Sequence, residues 1–241
     1  MRSIEIATSD GKAQASLHGT PGPAAAGVIL YMDAFGPRPA LDEMASRLAG
    51  DGYVVLVPDL FYRFGPYGPF DATAFSDEAN KAKLMGMIGG TTQEMTMRDT
   101  AAFLAALDEA GATGPVGTVG YCMGGGRAIN AAAAHPERIR AAASFHGGRV
   151  GSDASDSPVA HASRIKARVY VGAAGVDGSF PPEQAALFAQ AFREAEVDYL
   201  LENYVGMKHG WCVPDHSVFD PAGAERHWRR LTTLFAETLA G

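Results

Sequence analysis

The sequence predicts an α/β fold: a mostly parallel sheet flanked by helices on both faces and entered through an N-terminal antiparallel hairpin. Three observations carry this. Uniformly apolar runs such as GVILYM at 27–32 and YVVLVP at 53–58 read as strands buried on both faces, the environment of a parallel sheet. Amphipathic segments alternate with these runs, as βα units require. The first eighteen residues instead alternate polar and apolar around Asp10-Gly11, the pattern of a half-exposed hairpin.

The elements follow in order. Ser3 to Thr8 and Ala13 to Leu17 are the hairpin arms. GVILYM is the next strand, Leu41 to Ala49 a helix, YVVLVP a strand and Thr92 to Ala110 a helix. PVGTVGY at 115–121 is a strand, with Ala128 to Ala134 in the helix behind it. AAASF at 141–145 and ARVYVGA at 167–173 are strands, Glu183 to Glu194 a helix, DYLLEN at 198–203 a strand, and Ala222 to Leu239 the final helix. No repeat or linker divides the chain, so residues 1–241 are expected to form a single domain. Phe61 to Gly90 holds FYRFGPYGPF, a polar stretch and LMGMIGG. It is long for a connection between a strand and a helix, and such excursions are often lids or binding loops.

Composition narrows the function. Of the 241 residues, 47% are apolar, enough for a sizeable core. The formal charge of −7, without a cluster of Lys or Arg, argues against a nucleic-acid partner. The N-terminal MRSIEIATSD has no apolar h-region, and no run of ~20 apolar residues could span a membrane. A cytoplasmic location and a small-molecule partner are expected. The two cysteines, Cys122 and Cys212, allow at most one bridge, and neither CxxC nor HExxH spacing offers a metal site.

Gly120-Tyr121-Cys122-Met123-Gly124 has the form G-x-nucleophile-x-G and sits where a strand ends and a helix begins, the setting of a nucleophile elbow. The sharp turn strains the nucleophile's backbone, so the flanking positions must lack side chains. The helix start aims N–H groups and a positive dipole at the cysteine, favouring a thiolate and a developing oxyanion. Met123 N–H is the first candidate oxyanion donor. Taken alone, the motif equally describes a small cysteine buried in a close-packed turn. The glycines at 117, 120, 124, 125 and 126 are out of register for a dinucleotide fingerprint.

An elbow nucleophile needs a histidine base, and that base needs a carboxylate to hold its tautomer. In an α/β-hydrolase fold they follow in the order nucleophile, acid, histidine, on loops after later strands. Asp177 in GVDGS follows RVYVGAA, and His209 in GMKHGW follows the next strand. His146 in SFHGG also ends a strand, but it precedes Asp177 and breaks the order. His18, His135, His161, His216 and His227 are expected at the surface.

GYCMGGG, a GxD after a strand and KHGW, in that order, resemble the dienelactone hydrolase family, one-domain α/β hydrolases with a Cys-His-Asp triad. The resemblance runs from Gly27 onward. It implies that Asp33, where the family has a glutamate, modulates the thiol, and that Ala34 N–H is the second oxyanion donor. It also places an arginine for a substrate carboxylate four residues after the histidine, where this chain has Val213. Arg63 or Arg98, near the excursion, could reach the pocket, but the aromatics Phe35, Tyr62, Phe64, Tyr67 and Trp211 suggest a more apolar one, and Phe35, Tyr62, Arg63, Tyr121 and Trp211 are the expected substrate-binding residues.

The chemistry expected is hydrolysis of a small ester or lactone through a Cys122 thioester, with no cofactor and no metal. The competing expectation is a ligand-binding or redox-sensing protein on the same fold, with Cys212 able to pair with Cys122. Composition and motif do not indicate an oligomeric state.

Overall fold

A computed structural model describes residues 1–22 and 24–240. Its eight strands are β1 (Arg2–Thr8), β2 (Gly11–His18), β3 (Gly27–Tyr31), β4 (Val54–Pro58), β5 (Val116–Tyr121), β6 (Ile139–Phe145), β7 (Arg168–Val176) and β8 (Tyr199–Lys208). They form one sheet in the order β1-β2-β4-β3-β5-β6-β7-β8. β1 and β2 pair antiparallel, β2 meets β4 antiparallel, and every later pairing is parallel. Every residue of β3, β4 and β5 is buried, as their uninterrupted apolar runs demand.

The helices are α1 (Pro39–Gly50), α2 (Glu78–Gly90), α3 (Gln93–Glu109), α4 (Met123–Ala134), α5 (Pro182–Glu194) and α6 (Pro221–Leu239). Neighbouring residues of β5 show how they cover both faces. Thr118 Oγ1 donates to Ala128 O of α4 at 2.8 Å, whereas a Cβ on Gly117 would stand 2.7 Å from Phe235 of α6. Successive side chains of a strand point to opposite faces, so α4 and α6 lie on opposite sides of the sheet. α1 joins α6 through Arg47, which pairs with Glu225 at 2.7 Å and lies over Trp228. α3 packs with α4. No helix among the described residues is long and apolar enough to cross a membrane.

The predicted elements appear with small shifts. α4 starts at Met123 rather than near Ala128, because Cys122 itself is the N-cap and the glycines at 124, 125 and 126 lie within the helix. The Phe61–Gly90 excursion holds two short 3-10 turns and α2. The apolar residues of α2 keep no helical stripe, so the sequence carries no periodic signal for this helix. Only Leu84 and Met87 of that helix are fully buried.

Parallel register positions the functional loops. Tyr31 is opposite Gly120, Tyr121 opposite Phe145, and Val176 opposite Lys208. The residues that follow these pairs therefore leave the same sheet edge side by side. Asp33 and Ala34 come out near Cys122, Cys122 near His146, and Asp177 near His209. At the β5–α4 turn a Cβ on Gly120 would stand 2.0 Å from Gly124 O, and one on Gly124 would stand 2.4 Å from Tyr31 O. Both positions require glycine because the obstacle is backbone, which cannot rotate away.

Gly120→Ala or Gly124→Ala is expected to destabilise by at least ~2 kcal/mol through overpacking. Gly86→Ala, on the exposed side of α2 with nothing within 4 Å of the new Cβ, should stabilise by about 0.5–1 kcal/mol. Urea unfolding of the three variants checks the opposite signs.

Candidate active site

Cys122 adopts φ 54°, ψ −119°. This left-handed strained backbone is costly for a residue with a Cβ and persists only where the surroundings over-determine it. Its own N–H is held from the β6 side, donating to Phe145 O at 3.2 Å and to His146 Nδ1 at 3.1 Å. Cys122 is half-buried. Met123 opens α4, a position whose N–H has no acceptor inside the helix.

His209 and Asp177 meet as the β7–β8 register requires. His209 Nδ1–H donates to Asp177 Oδ2 at 2.7 Å, which fixes the tautomer and leaves Nε2 for chemistry. Ser179 braces the carboxylate, its N–H and Oγ–H both reaching Asp177 Oδ1, at 2.8 and 2.7 Å. Burial opposes ionisation of Asp177, but His209 and Ser179 outweigh it and hold the carboxyl below its usual range. Burial likewise opposes a charged His209. The bonds and charges of Asp177 and Cys122 prevail and lift the imidazole to about 10.

Cys122, His209, Asp177, Met123 and Ala34 all line one cavity of ≈ 570 Å³, a size suited to a small molecule. A thiol, an imidazole oriented by a carboxylate and the start of a helix around one cavity are the groups that acyl transfer requires. Phe75, Met85 and Ile88 close one side, drawn from the Phe61–Gly90 excursion. Arg127, Arg149, Gln93, Ser152 and Asp156 line the polar side. Arg127 is 4% exposed and donates to Met123 O at 2.7 Å and to Thr91 O. Burial pulls its guanidinium down to about 10. Arg149 is solvent-exposed, and among the described residues no carboxylate lies within salt-bridge distance of it.

The five residues expected to bind substrate lie elsewhere. Phe35 lines a separate cavity with Pro37, Arg38 and Tyr67, its ring 5.7 Å from Phe75. Tyr62 bonds Thr8 Oγ1 at 2.7 Å, and Arg63 pairs with Asp10 and Asp99, so both tie the excursion to the hairpin and α3. Arg98 is also held on Asp10. Tyr121 is buried against His227 Nε2 at 2.9 Å, and Trp211 is buried with its ring 4.6 Å from Tyr204. Aromatic rings of this size go first to the core, where they bury the most area. The groups that replace them come from α2, α4 and the loop after β6, and Gly89-Gly90 and GGRV gave no sign of their partners in the sequence.

The carboxylate of Asp33 is not directed at the thiol. Both its oxygens are taken by Arg38, at 2.6 and 2.8 Å, and Oδ2 also accepts from His216 Nε2 at 3.1 Å. Val213, at the position where the resemblance implies an arginine, is wholly buried. Cys212 is 1% exposed, and burial pushes its thiol well above the ordinary value. His18 and His227 are core residues at 2% and 0% exposure, not surface histidines. His146 is 1% exposed, and burial, reinforced by His209, His216 and His227, holds it neutral. It supports the elbow as an acceptor and, among the described residues, has no carboxylate partner.

The family model described as "Dienelactone hydrolase family" matches residues 14–239. A carboxymethylenebutenolidase of Pseudomonas sp. strain P51 is 36% identical over 107 residues, 44% of either chain. A carboxymethylenebutenolidase homolog of Rattus norvegicus is 27% identical over 197 residues, 81% of this chain and 74% of the other. Among solved structures, the dienelactone hydrolase-like promiscuous phosphotriesterase P91 from metagenomic libraries superposes with a TM-score of 0.78 at 23% identity. That match covers 99% of this chain and 98% of the other, and at this identity it speaks for the fold.

The raised His209 has a consequence for stability. Between the unfolded value near 6.5 and about 10, the folded chain keeps a proton that the unfolded chain gives up. This contribution is complete below the window and is lost as pH rises through it. Asp177→Asn should lower the His209 titration midpoint, followed by NMR of the ring, and flatten the fall of unfolding free energy across the window.

Proposed function

This chain belongs to the dienelactone hydrolase family, and on that premise we propose that it hydrolyses a small ester or lactone through a thioester on Cys122. The observation that carries the reading is the Asp177–His209 pair at 2.7 Å, sharing a cavity with a cysteine held in the left-handed elbow. Cys122 Sγ⁻ attacks the carbonyl carbon, and the Met123 and Ala34 N–H groups receive the oxyanion. The tetrahedral intermediate collapses with the proton of His209 Nε2 passing to the leaving alkoxide. His209, now neutral, takes a proton from water, whose oxygen attacks the thioester and returns Cys122 as thiolate.

The charges support this sequence. While Cys122 is anionic it helps keep His209 protonated, which suits proton donation to the leaving group. Acylation removes that charge and with it part of the support, so the ring becomes the better base when water must be activated. On the polar side of the cavity Arg127 and Arg149 stand against one carboxylate, Asp156, which leaves it a single positive charge in excess. This favours an acid-bearing substrate despite Val213.

With p-nitrophenyl acetate, Cys122→Ala should abolish turnover, and Asp177→Asn should lower kcat by ~10³–10⁴-fold, as wrong-tautomer variants do. Undiminished turnover in the alanine variant contradicts the assignment. Arg149→Ala should raise KM for an ester bearing a distal carboxylate by ~10-fold, a loss of ~1.4 kcal/mol, and leave a neutral ester of the same size unaffected. Equal effects on both esters would remove Arg149 from recognition.

A further inference from the structure

We propose that Asp33, Arg38 and His216 form a clamp that holds the oxyanion loop and the histidine loop in register, making Asp33 a positioning residue rather than a modulator of the thiol. The two loops leave the sheet from β3 and β8, with β5, β6 and β7 between them, so strand pairing alone does not join them. The side chains do. Arg38 grips Asp33 with Nη1 and Nη2 and reaches Asp215 with Nε at 2.6 Å and Nη2 at 2.9 Å. One planar guanidinium thus spans carboxylates from both loops, a geometry that a flexible ammonium cannot reproduce.

His216 makes the second link. Its Nε2 donates to Asp33 Oδ2, and its ring lies 5.1 Å from that of Phe35. On the other side it packs on Gly210, where a Cβ would stand 2.3 Å from His216 Nδ1. Phe35 is next to Ala34 and Gly210 is next to His209, so one ring touches the neighbour of the second oxyanion donor and the neighbour of the base. Asp33 also folds its own loop, accepting Phe35 N–H at Oδ1, 3.0 Å. Asp33 is 1% exposed, and an ion pair this buried is disrupted strongly when one partner is lost.

The residues involved are not among those that touch substrate, and the inference rests on the esterase reading only for its kinetic readout. Asp33→Asn keeps the shape and removes the charge. Arg38→Lys keeps the charge, removes the fork and serves where the first variant fails to fold. In both, kcat for p-nitrophenyl acetate is expected to fall ~10–100-fold with little change in KM, the cost of a misplacement on the order of 1 Å. Unchanged kcat makes the pairing merely structural and overturns the proposal. The low-field proton resonance of His209 Nδ1–H is recorded on the same samples and should broaden or move in Arg38→Lys. If the wild type shows no turnover, only the esterase reading falls, and an unmoved resonance would then overturn the clamp.

Discussion

Everything at the carboxyl edge of the sheet depends on how closely β5, the start of α4 and the end of β3 approach one another. Gly120 faces the carbonyl of Gly124, and Gly124 faces the carbonyls of Tyr31 and Met32, with no room for a Cβ at either place. That contact makes the strand turn at once into α4 and drives Cys122 to positive φ. It also puts the β3 exit loop, with Ala34, over the first turn of α4. The strain at Cys122 is therefore maintained by packing, and the same packing sets how closely Ala34 and Met123 approach across the cavity.

The second determinant is parallel register, which brings residues far apart in sequence to one edge without a local signal. Val176 opposite Lys208 delivers Asp177 to His209, and Tyr121 opposite Phe145 delivers His146 to the elbow N–H. The two histidines have opposite fates although their rings are 4.8 Å apart. His209 has Asp177 and Cys122 to support a proton, whereas His146 has burial and three other histidines against one. The outcome is one histidine fit to exchange protons and another fit to hold backbone.

Much of this was legible in the residues themselves because it is dictated locally or by order along the chain. The apolar runs, the glycines around Cys122, and the sequence of cysteine, aspartate and histidine at strand ends all follow from constraints that act within a few residues. The cavity lining was not legible for the opposite reason. Phe75, Met85 and Ile88 reach it from an excursion whose helix α2 has no clear apolar stripe, and Arg127 from inside α4. Tyr62, Arg63, Tyr121 and Trp211 looked suited to a pocket by type, but their rings and charges are engaged in the core and the hairpin. For Asp33 the resemblance implied modulation of the thiol, and only side-chain geometry reveals its pairing with Arg38.

The central claim is that an acyl group passes through Cys122, and the most direct test is mass spectrometry of the protein quenched in acid during turnover of p-nitrophenyl acetate. An acyl adduct confined to the peptide holding Cys122 is expected, labile to hydroxylamine as a thioester is, and accumulating in Asp177→Asn, where deacylation lacks an oriented base. An adduct on another residue, or turnover without any adduct in the wild type and in that variant, would contradict it.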